Sequence, residues 1–392
     1  MEKMTVCGGG NGAQTLASLA SSNLACDVDM YAPFRDEAHR LREGIGANGG
    51  IEVTGAVQCR GRPRRVSSDA AEVVPGSSVV LLVLPAFAHK TTLVDIVPYL
   101  DEGAWVGAVP ARGGLDYCAV RVLGDAGRSD VTVFGLQTLP WACRIREYGQ
   151  VVHVLGVKES VDAASRPTAH LDLIAPVLEQ LLGVPIGKAG SILALTLANT
   201  GQIIHPGIMY DLFSDWDGVP FGAEDIPLFY QGLSEEGARV LGGLSRDVQL
   251  IRARLTRFGL DLAGVYPLKT WLLRSYGDAI RDKSSLRSAF VTNRAYAGLK
   301  APVREAAPGQ FVPDFGARYL AEDVPYGLAV TQAIARLADV QTYAIDQIAA
   351  WANAQLSKET KRQDINARTP QEYDLATLEQ LIAFTVEAQA QT

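Results

Sequence analysis

The sequence predicts an α/β protein. A doubly wound parallel sheet should occupy residues 1–192, and an all-helical domain residues 193–392. Three observations carry this. Short apolar runs alternate with polar helical stretches through the first half. Four glycines in five residues, Gly8–Gly12 ("GGGNG"), stand directly behind the first run. From about Ile192 the segments lengthen, and their apolar residues recur three and four apart.

The elements follow in order. Met4–Cys7 reads as a strand and Asn11–Ser22 as the helix behind it. Val28–Tyr31 and Glu37–Glu43 repeat that pair. "SSVVLLVLPA" (Ser77–Ala86) is a continuous apolar run of strand length, and "AWVGAVP" (Ala104–Pro110) and "VTVFG" (Val131–Gly135) succeed it. Strands covered by helices on both faces have this composition, because neither face meets water. In the second half, Glu235–Phe258 and Leu328–Ala354 read as long helices. "SDWDGVPFGAEDIP" (Ser214–Pro227) reads as a loop.

Composition narrows the function. A chain of 392 residues, 48% hydrophobic, supports about two domains. Net charge is −7, and the longest basic cluster is "RGRPRR" (Arg60–Arg65), which argues against nucleic-acid and anionic-membrane partners. The five cysteines, Cys7, Cys26, Cys59, Cys118 and Cys143, are scattered without C-x-x-C spacing. They read as reduced thiols, with no disulfide framework and no metal site. The N-terminus lacks a leader pattern, and no stretch approaches ~18 uncharged apolar residues. A cytoplasmic chain, monomeric or homodimeric, is expected.

The glycines give the first chemical signal. Gly8, Gly10 and Ala13 form G-x-G-x-x-A between a strand and a helix, with Asn11 and Gly12 inside it. In the dinucleotide fingerprint of Rossmann-type domains, the first glycine permits a tight turn. The second lets the backbone approach the pyrophosphate, and the small third residue lets helix and strand pack closely. The N–H groups at the helix start then meet the phosphate charge. A plain tight turn into a helix would need fewer of these features. The acid that usually binds the ribose is displaced here, since the second strand ends at Tyr31-Ala32-Pro33. Asp36 could hold the ribose, or Arg35 a 2′-phosphate, or both could be solvated helix-start charges. NAD versus NADP is therefore not settled by these residues.

A second constellation lies downstream. His205 sits in the apolar stretch "NTGQIIHPGIMY" and is followed by Pro206, which removes a backbone donor from the helix. "PDFGARYLAEDVPYGL" (Pro313–Leu328) gathers Asp314, Arg318, Glu322 and Asp323. Taken alone, His205 also reads as a satisfied core residue, and Arg318 and Asp323 as surface charges. "LQTLPWACRI" (Leu136–Ile145) follows a predicted strand, at the carboxyl edge where ligands of doubly wound folds bind.

Together "VCGGGNGA", "LPAFAH" (Leu84–His89), "TLPWACRI" (Thr138–Ile145), His205-Pro206, "PLFYQG" (Pro227–Gly232) and "PDFGARYLAEDVP" resemble the opine dehydrogenases of the octopine dehydrogenase type, over essentially the whole chain. The resemblance implies an NADH-dependent condensation of pyruvate with the amine of an amino acid. The imine formed is reduced by hydride. It implies His205 as the proton-transfer group with Asp323 as its partner, and Arg318 as the clamp on the keto-acid carboxylate. It places Thr138 near the keto acid, Trp271 beside the amino acid, and Pro85 with the cofactor-binding residues. Two departures bear on the amine. Arg112 stands where octopine-type relatives carry glutamine, and Asn199 where they carry an apolar residue. An added cation disfavours arginine as substrate and favours glycine, alanine, β-alanine or taurine. Two other readings make different predictions. A keto-acid reductase would oxidise NADH without an amine, and a non-catalytic dinucleotide-binding module would show no turnover.

Overall fold

The computed structural model describes residues 2–24, 26–360 and 367–390. The chain forms two compact units. One comprises Met1–Leu195, Asp261–Gly264 and Ala383–Thr392, the other Thr196–Leu260 and Val265–Ile382.

The first unit is built on twelve strands: β1 (Lys3–Cys7), β2 (Asp27–Tyr31), β3 (Ile51–Gly55), β4 (Cys59–Gly61), β5 (Arg65–Ser67), β6 (Val79–Leu82), β7 (Trp105–Ala108), β8 (Thr132–Leu136), β9 (Trp141–Glu147), β10 (Val151–Val157), β11 (Val161–Arg166) and β12 (Ile186–Lys188). Eight of them make one sheet in the order β12-β11-β8-β7-β6-β1-β2-β5. Its stretch β5-β2-β1-β6-β7-β8 is parallel throughout. That is the strand order of a dinucleotide-binding doubly wound sheet, with the order reversing at β1. The continuous apolar runs are these inner strands, and every residue of β1, β6 and β8 is buried.

Boundaries moved where turn chemistry intervened. The run Ser77–Ala86 yields a strand only over Val79–Leu82, because Pro85 takes the position before the helix Ala86–Ile96. The expected helix at Glu37–Glu43 continues to Asn48 and ends on left-handed Gly49. A second sheet, β4-β3-β10-β9, was not visible in the sequence. Its strands are half-exposed, as in β3, where buried Ile51 and Val53 alternate with Glu52 and Thr54. β11 runs antiparallel to β8, unlike its neighbours. The basic stretch behind β4 is largely neutralised. Arg64 grips Asp29 through two bonds of 3.0 and 2.8 Å and meets Asp27 at 2.7 Å, and Arg60 meets Glu52 at 2.7 Å.

Among its described residues the second unit is helical apart from one short hairpin, Val303–Ala307 with Gln310–Pro313. Its long helix Glu235–Thr256 starts where the Ser234 hydroxyl accepts the Gly237 N–H. It buries Leu241, Leu244, Val248, Ile251 and Leu255 along one stripe. The expected helix Leu328–Ala354 is two helices, Ala329–Leu337 and Tyr343–Thr360. Asp339 between them is left-handed (φ 53°), which ends the first. Asp247, from the long helix, accepts the Ala344 and Ile345 N–H groups at 2.8 and 3.0 Å and caps the second.

All five cysteines are free thiols. Among the described residues no helix is long and apolar enough to cross a membrane.

Candidate active site

In the first unit, the loops after β1, β2, β6, β7 and β8 leave the same edge of the parallel sheet. They carry Gly8–Ala13, Arg35 and Asp36, Pro85, Arg112 and Thr138 respectively. The sequence-predicted residues of this half therefore share the carboxyl edge.

Gly8 turns at φ +123°, and a Cβ there would stand 2.6 Å from the Val83 carbonyl oxygen. Only glycine fits without strain. Gly10 is the cap of the helix Asn11–Asn23. It makes no side-chain cap bond, and a Cβ on it would meet nothing within 4 Å. The helix start is thus open, with backbone N–H groups unsatisfied by side chains, as a pyrophosphate requires. Gly12 packs against Leu139 and Val83, and Ala13 is fully buried. Asn11 does something the fingerprint does not state: its Oδ1 accepts the Ile145 N–H at 2.8 Å and ties the loop to β9. Buried Gln14 braces the loop from behind, donating to the Gly9 carbonyl at 2.8 Å and accepting from Gly149 at 3.0 Å.

Arg35 and Asp36 are both exposed. Arg35 is left-handed (φ 49°), and Asp36 approaches Arg40 at 4.0 Å. The acid closest to the glycine loop is instead Glu37, which the sequence reading passed over. A Cβ on Gly9 would lie 2.9 Å from its Oε2 and 2.6 Å from the Tyr148 hydroxyl. Burial raises the Glu37 carboxyl above its ordinary range and pushes the Tyr148 phenol up to about 12. Pro85 precedes a helix, and Arg112 and Thr138 are half-buried.

In the second unit, His205 and Asp323, 118 residues apart, are brought together: Nδ1 of the ring lies 2.8 Å from Oδ2 of the carboxylate. Local sequence explains each position. His205 lies in the helix Gly201–Phe213, where Pro206 cannot donate to the Gln202 carbonyl. The Gln202 side chain anchors that turn, donating to Thr196 at 3.1 Å and accepting from Thr331 at 2.7 Å. Asp323 precedes a π-helical turn, Val324–Leu328, in which Leu328 N–H reaches back to the Asp323 carbonyl at 2.9 Å. Wide turns of this kind recur at functional sites. Gly327 lets that turn lie against the His205 helix, since a Cβ would meet Gln202 at 2.5 Å. The Asn199 amide lies 3.4 Å from the same position, just before the helix.

Asp323 is only 2% exposed, so its charge is stabilised by partners. Arg318 opens the helix Arg318–Ala321. Its side chain is 63% exposed, and its Nε meets the buried Glu322 carboxylate at 2.6 Å.

The imidazole is enclosed by aromatic rings. Tyr319 stacks on it at 4.1 Å and 13°, and the Tyr230 hydroxyl lies 3.2 Å from Nε2. Tyr230 stacks in turn on Tyr296 at 4.0 Å, Tyr296 meets Tyr276 at 5.3 Å, and Tyr276 meets Trp271 at 6.2 Å. Trp271 is thus linked to His205 through a chain of tyrosines. Tyr230 and Tyr319 were not singled out from sequence, although Tyr230 lies within "PLFYQG".

The chain is similar to proteins of known activity and structure. The family described as "NAD/NADP octopine/nopaline dehydrogenase, alpha-helical domain" matches residues 188–356. An opine dehydrogenase of Haliotis discus hannai is 36% identical, over 96% of this chain and 97% of its own length. A tauropine dehydrogenase of Arabella iricolor is 34% identical, over 97% of this chain and its whole length. Octopine dehydrogenase structures with NADH and agmatine, and with NADH and pyruvate, superpose with TM-scores of 0.85 and 0.82 at 30% identity. They cover 97% and 100% of this chain, and it covers 98% and 99% of theirs. With an open dinucleotide loop, a histidine–carboxylate pair and relatives matched along nearly the whole chain, this protein belongs to the opine dehydrogenase family, NAD(H)-dependent oxidoreductases acting on CH–NH groups.

Proposed function

We propose that this chain condenses pyruvate with the amine of a small amino acid or amino sulfonate, and that the His205–Asp323 pair moves the protons. The 2.8 Å contact within that pair carries the reading. In the reductive direction the amine nitrogen attacks the keto carbon, water leaves, and the resulting imine is reduced at that carbon. NADH supplies the hydride when bound, and Gly8–Ala13 offer the site for its pyrophosphate. The proton balance needs a group that donates during condensation and reduction and accepts in the reverse oxidation. Imidazole does both near neutral pH. Asp323 holds the proton on Nδ1, so Nε2 is the exchanging atom, and the buried carboxylate stabilises the imidazolium.

Arg318 is the proposed clamp on the keto-acid carboxylate. Glu322 engages its Nε, leaving the outer nitrogens of the planar fork to pair with carboxylate oxygens. Thr138 is assigned to the keto acid, and Trp271 and Asn199 to the amine. Arg112 sets the amine class, since a further cation disfavours a guanidinium substrate and suits an acid-bearing partner such as taurine or glycine.

The test is His205→Asn, whose amide still donates to Asp323 and leaves that buried carboxylate paired. Amine-dependent NADH oxidation with pyruvate should fall about 10²–10⁴-fold, with NADH affinity retained. Turnover near the parent's would remove the histidine from the mechanism. Oxidation of NADH by pyruvate without an amine would reject the condensation.

A further inference from the structure

We propose that Tyr230 is a positioning residue of the proton-transfer unit: its hydroxyl engages Nε2 of His205 and sets the proton affinity of that nitrogen. The inference rests on the assignment of His205 as the proton-transfer group.

Both ring nitrogens of His205 are occupied, Nδ1 by Asp323 at 2.8 Å and Nε2 by Tyr230 at 3.2 Å. A carboxylate has no proton to give, so the hydrogen of the first contact belongs to Nδ1. In the neutral ring Nε2 is then a bare acceptor, and the Tyr230 O–H donates to it. In the imidazolium the contact reverses, and Nε2–H donates to the phenol oxygen. A hydroxyl serves both states without gaining or losing a proton.

Tyr230 is suited to this because it is buried and its phenol is held in the protonated form. The residue is buried, and its phenol is raised well above the ordinary tyrosine range, first by burial and then by Tyr319, Tyr276 and Asp323. Its ring stacks on Tyr296 at 4.0 Å and lies parallel to Phe290 at 6.3 Å, and Phe229 meets it in a T-shaped contact at 4.8 Å. The hydroxyl is therefore delivered to the imidazole by packing against its chain neighbour Phe229 and against the Phe290–Tyr296 segment.

The groups facing the ring are few. Asp323 and Tyr319 come from the Arg318 helix and the turn after it, Tyr230 and Phe229 from the segment Pro227–Gly232. Behind them stand the Arg318–Glu322 pair and the Tyr276–Tyr296 contact. Among the described residues Tyr230 alone makes a hydrogen-bond contact at Nε2, the atom that must exchange protons with substrate. Substrate must take that nitrogen from the hydroxyl or share it. Until then the phenol satisfies that nitrogen in both protonation states, more strongly in the imidazolium.

The experiment is Tyr230→Phe, which keeps the stacked ring and removes only the hydroxyl. In pH profiles of kcat/KM for opine oxidation, the limb reporting His205 should move downward by about 0.5–1 pH unit, because the imidazolium loses a charge-assisted acceptor, which outweighs the donor lost by the neutral ring. kcat should fall about tenfold, and KM for NAD should stay constant. Tyr296→Phe removes a hydroxyl from the same stack away from the imidazole, and should leave the limb in place. Tyr230→Phe with an unmoved limb and kcat within about twofold of the parent overturns the inference. Should that variant not fold, ¹⁵N-histidine spectra of the parent decide. The neutral His205 ring must carry its proton on Nδ1 with Nε2 hydrogen-bonded, and an Nε2–H tautomer overturns it. If His205→Asn is inactive while Tyr230→Phe is parental, only this inference fails. If His205→Asn is active, the proton-transfer reading itself fails.

Discussion

Gly8 shows how one residue governs a site. Its φ of +123° lies in the region that side chains avoid, and the space a Cβ would need is taken by the Val83 carbonyl. Gly8→Ala therefore forces the β1 turn to shift. We expect a stability loss of about 1–3 kcal/mol and weaker NADH binding, read by thermal denaturation and calorimetric titration. Parental NADH affinity in the alanine variant would show that this turn does not shape the cofactor loop. The same scale explains why His205 and Asp323 belong together. A carboxylate 2% exposed cannot stay charged without a partner, and the imidazole is one.

Between elements, the clearest electrostatic clip joins the turn before β8 to the turn before β7. Arg128 meets Asp130 through two bonds of 2.8 Å, and also reaches the Leu100 and Asp101 carbonyls at 2.7 and 2.6 Å. Asp130 further accepts the Gly103 N–H at 2.8 Å. Arg128 first, then Gly103, holds the Asp130 carboxyl well below its ordinary range. A depressed folded-state pKa means that the unfolded chain binds the proton first as pH falls. The clip's stability is thus complete above the ordinary carboxylate range of about 4, and is lost as pH drops through and below it. Asp130→Asn should lower the melting temperature at pH 7, and the gap to the parent should close towards pH 2. A gap that persists unchanged at low pH would mean that ionisation of Asp130 is not its source.

At the scale of the whole molecule, the chain's final helix returns to the first unit. Arg166, 8% exposed, donates to the Phe384 carbonyl at 2.6 Å, lies 4.1 Å over the Phe384 ring, and meets Glu387 at 3.2 Å. Thr385 and Ala388 of the same helix are buried. Ending the chain at Ile382 strips these partners from a guanidinium in the sheet. We expect a loss of about 1–3 kcal/mol, or roughly 2–10 °C in melting temperature. An unchanged melting temperature would show that the returning helix contributes nothing to that unit.

Much of the architecture was written into local pattern. Parallel strands covered on both faces leave unbroken apolar runs, so β1, β6, β7 and β8 were legible one by one. The glycine loop was legible because a positive φ and a close carbonyl restrict its first position to glycine. The second sheet was not, since half-exposed strands such as β3 leave no such run. The break at Asp339 was hidden because apolar spacing continues across it, while the cap that starts the next helix comes from Asp247, far away in sequence. At the candidate site, motifs suggested His205, Asp323 and Arg318, but the 2.8 Å contact needed the fold. Tyr230 was quoted and given no role, because a tyrosine's hydroxyl acquires meaning only from what stands opposite it. Residue type and spacing are properties of a short window of chain. The partner of a buried polar atom is settled by packing among distant segments, and no window contains it.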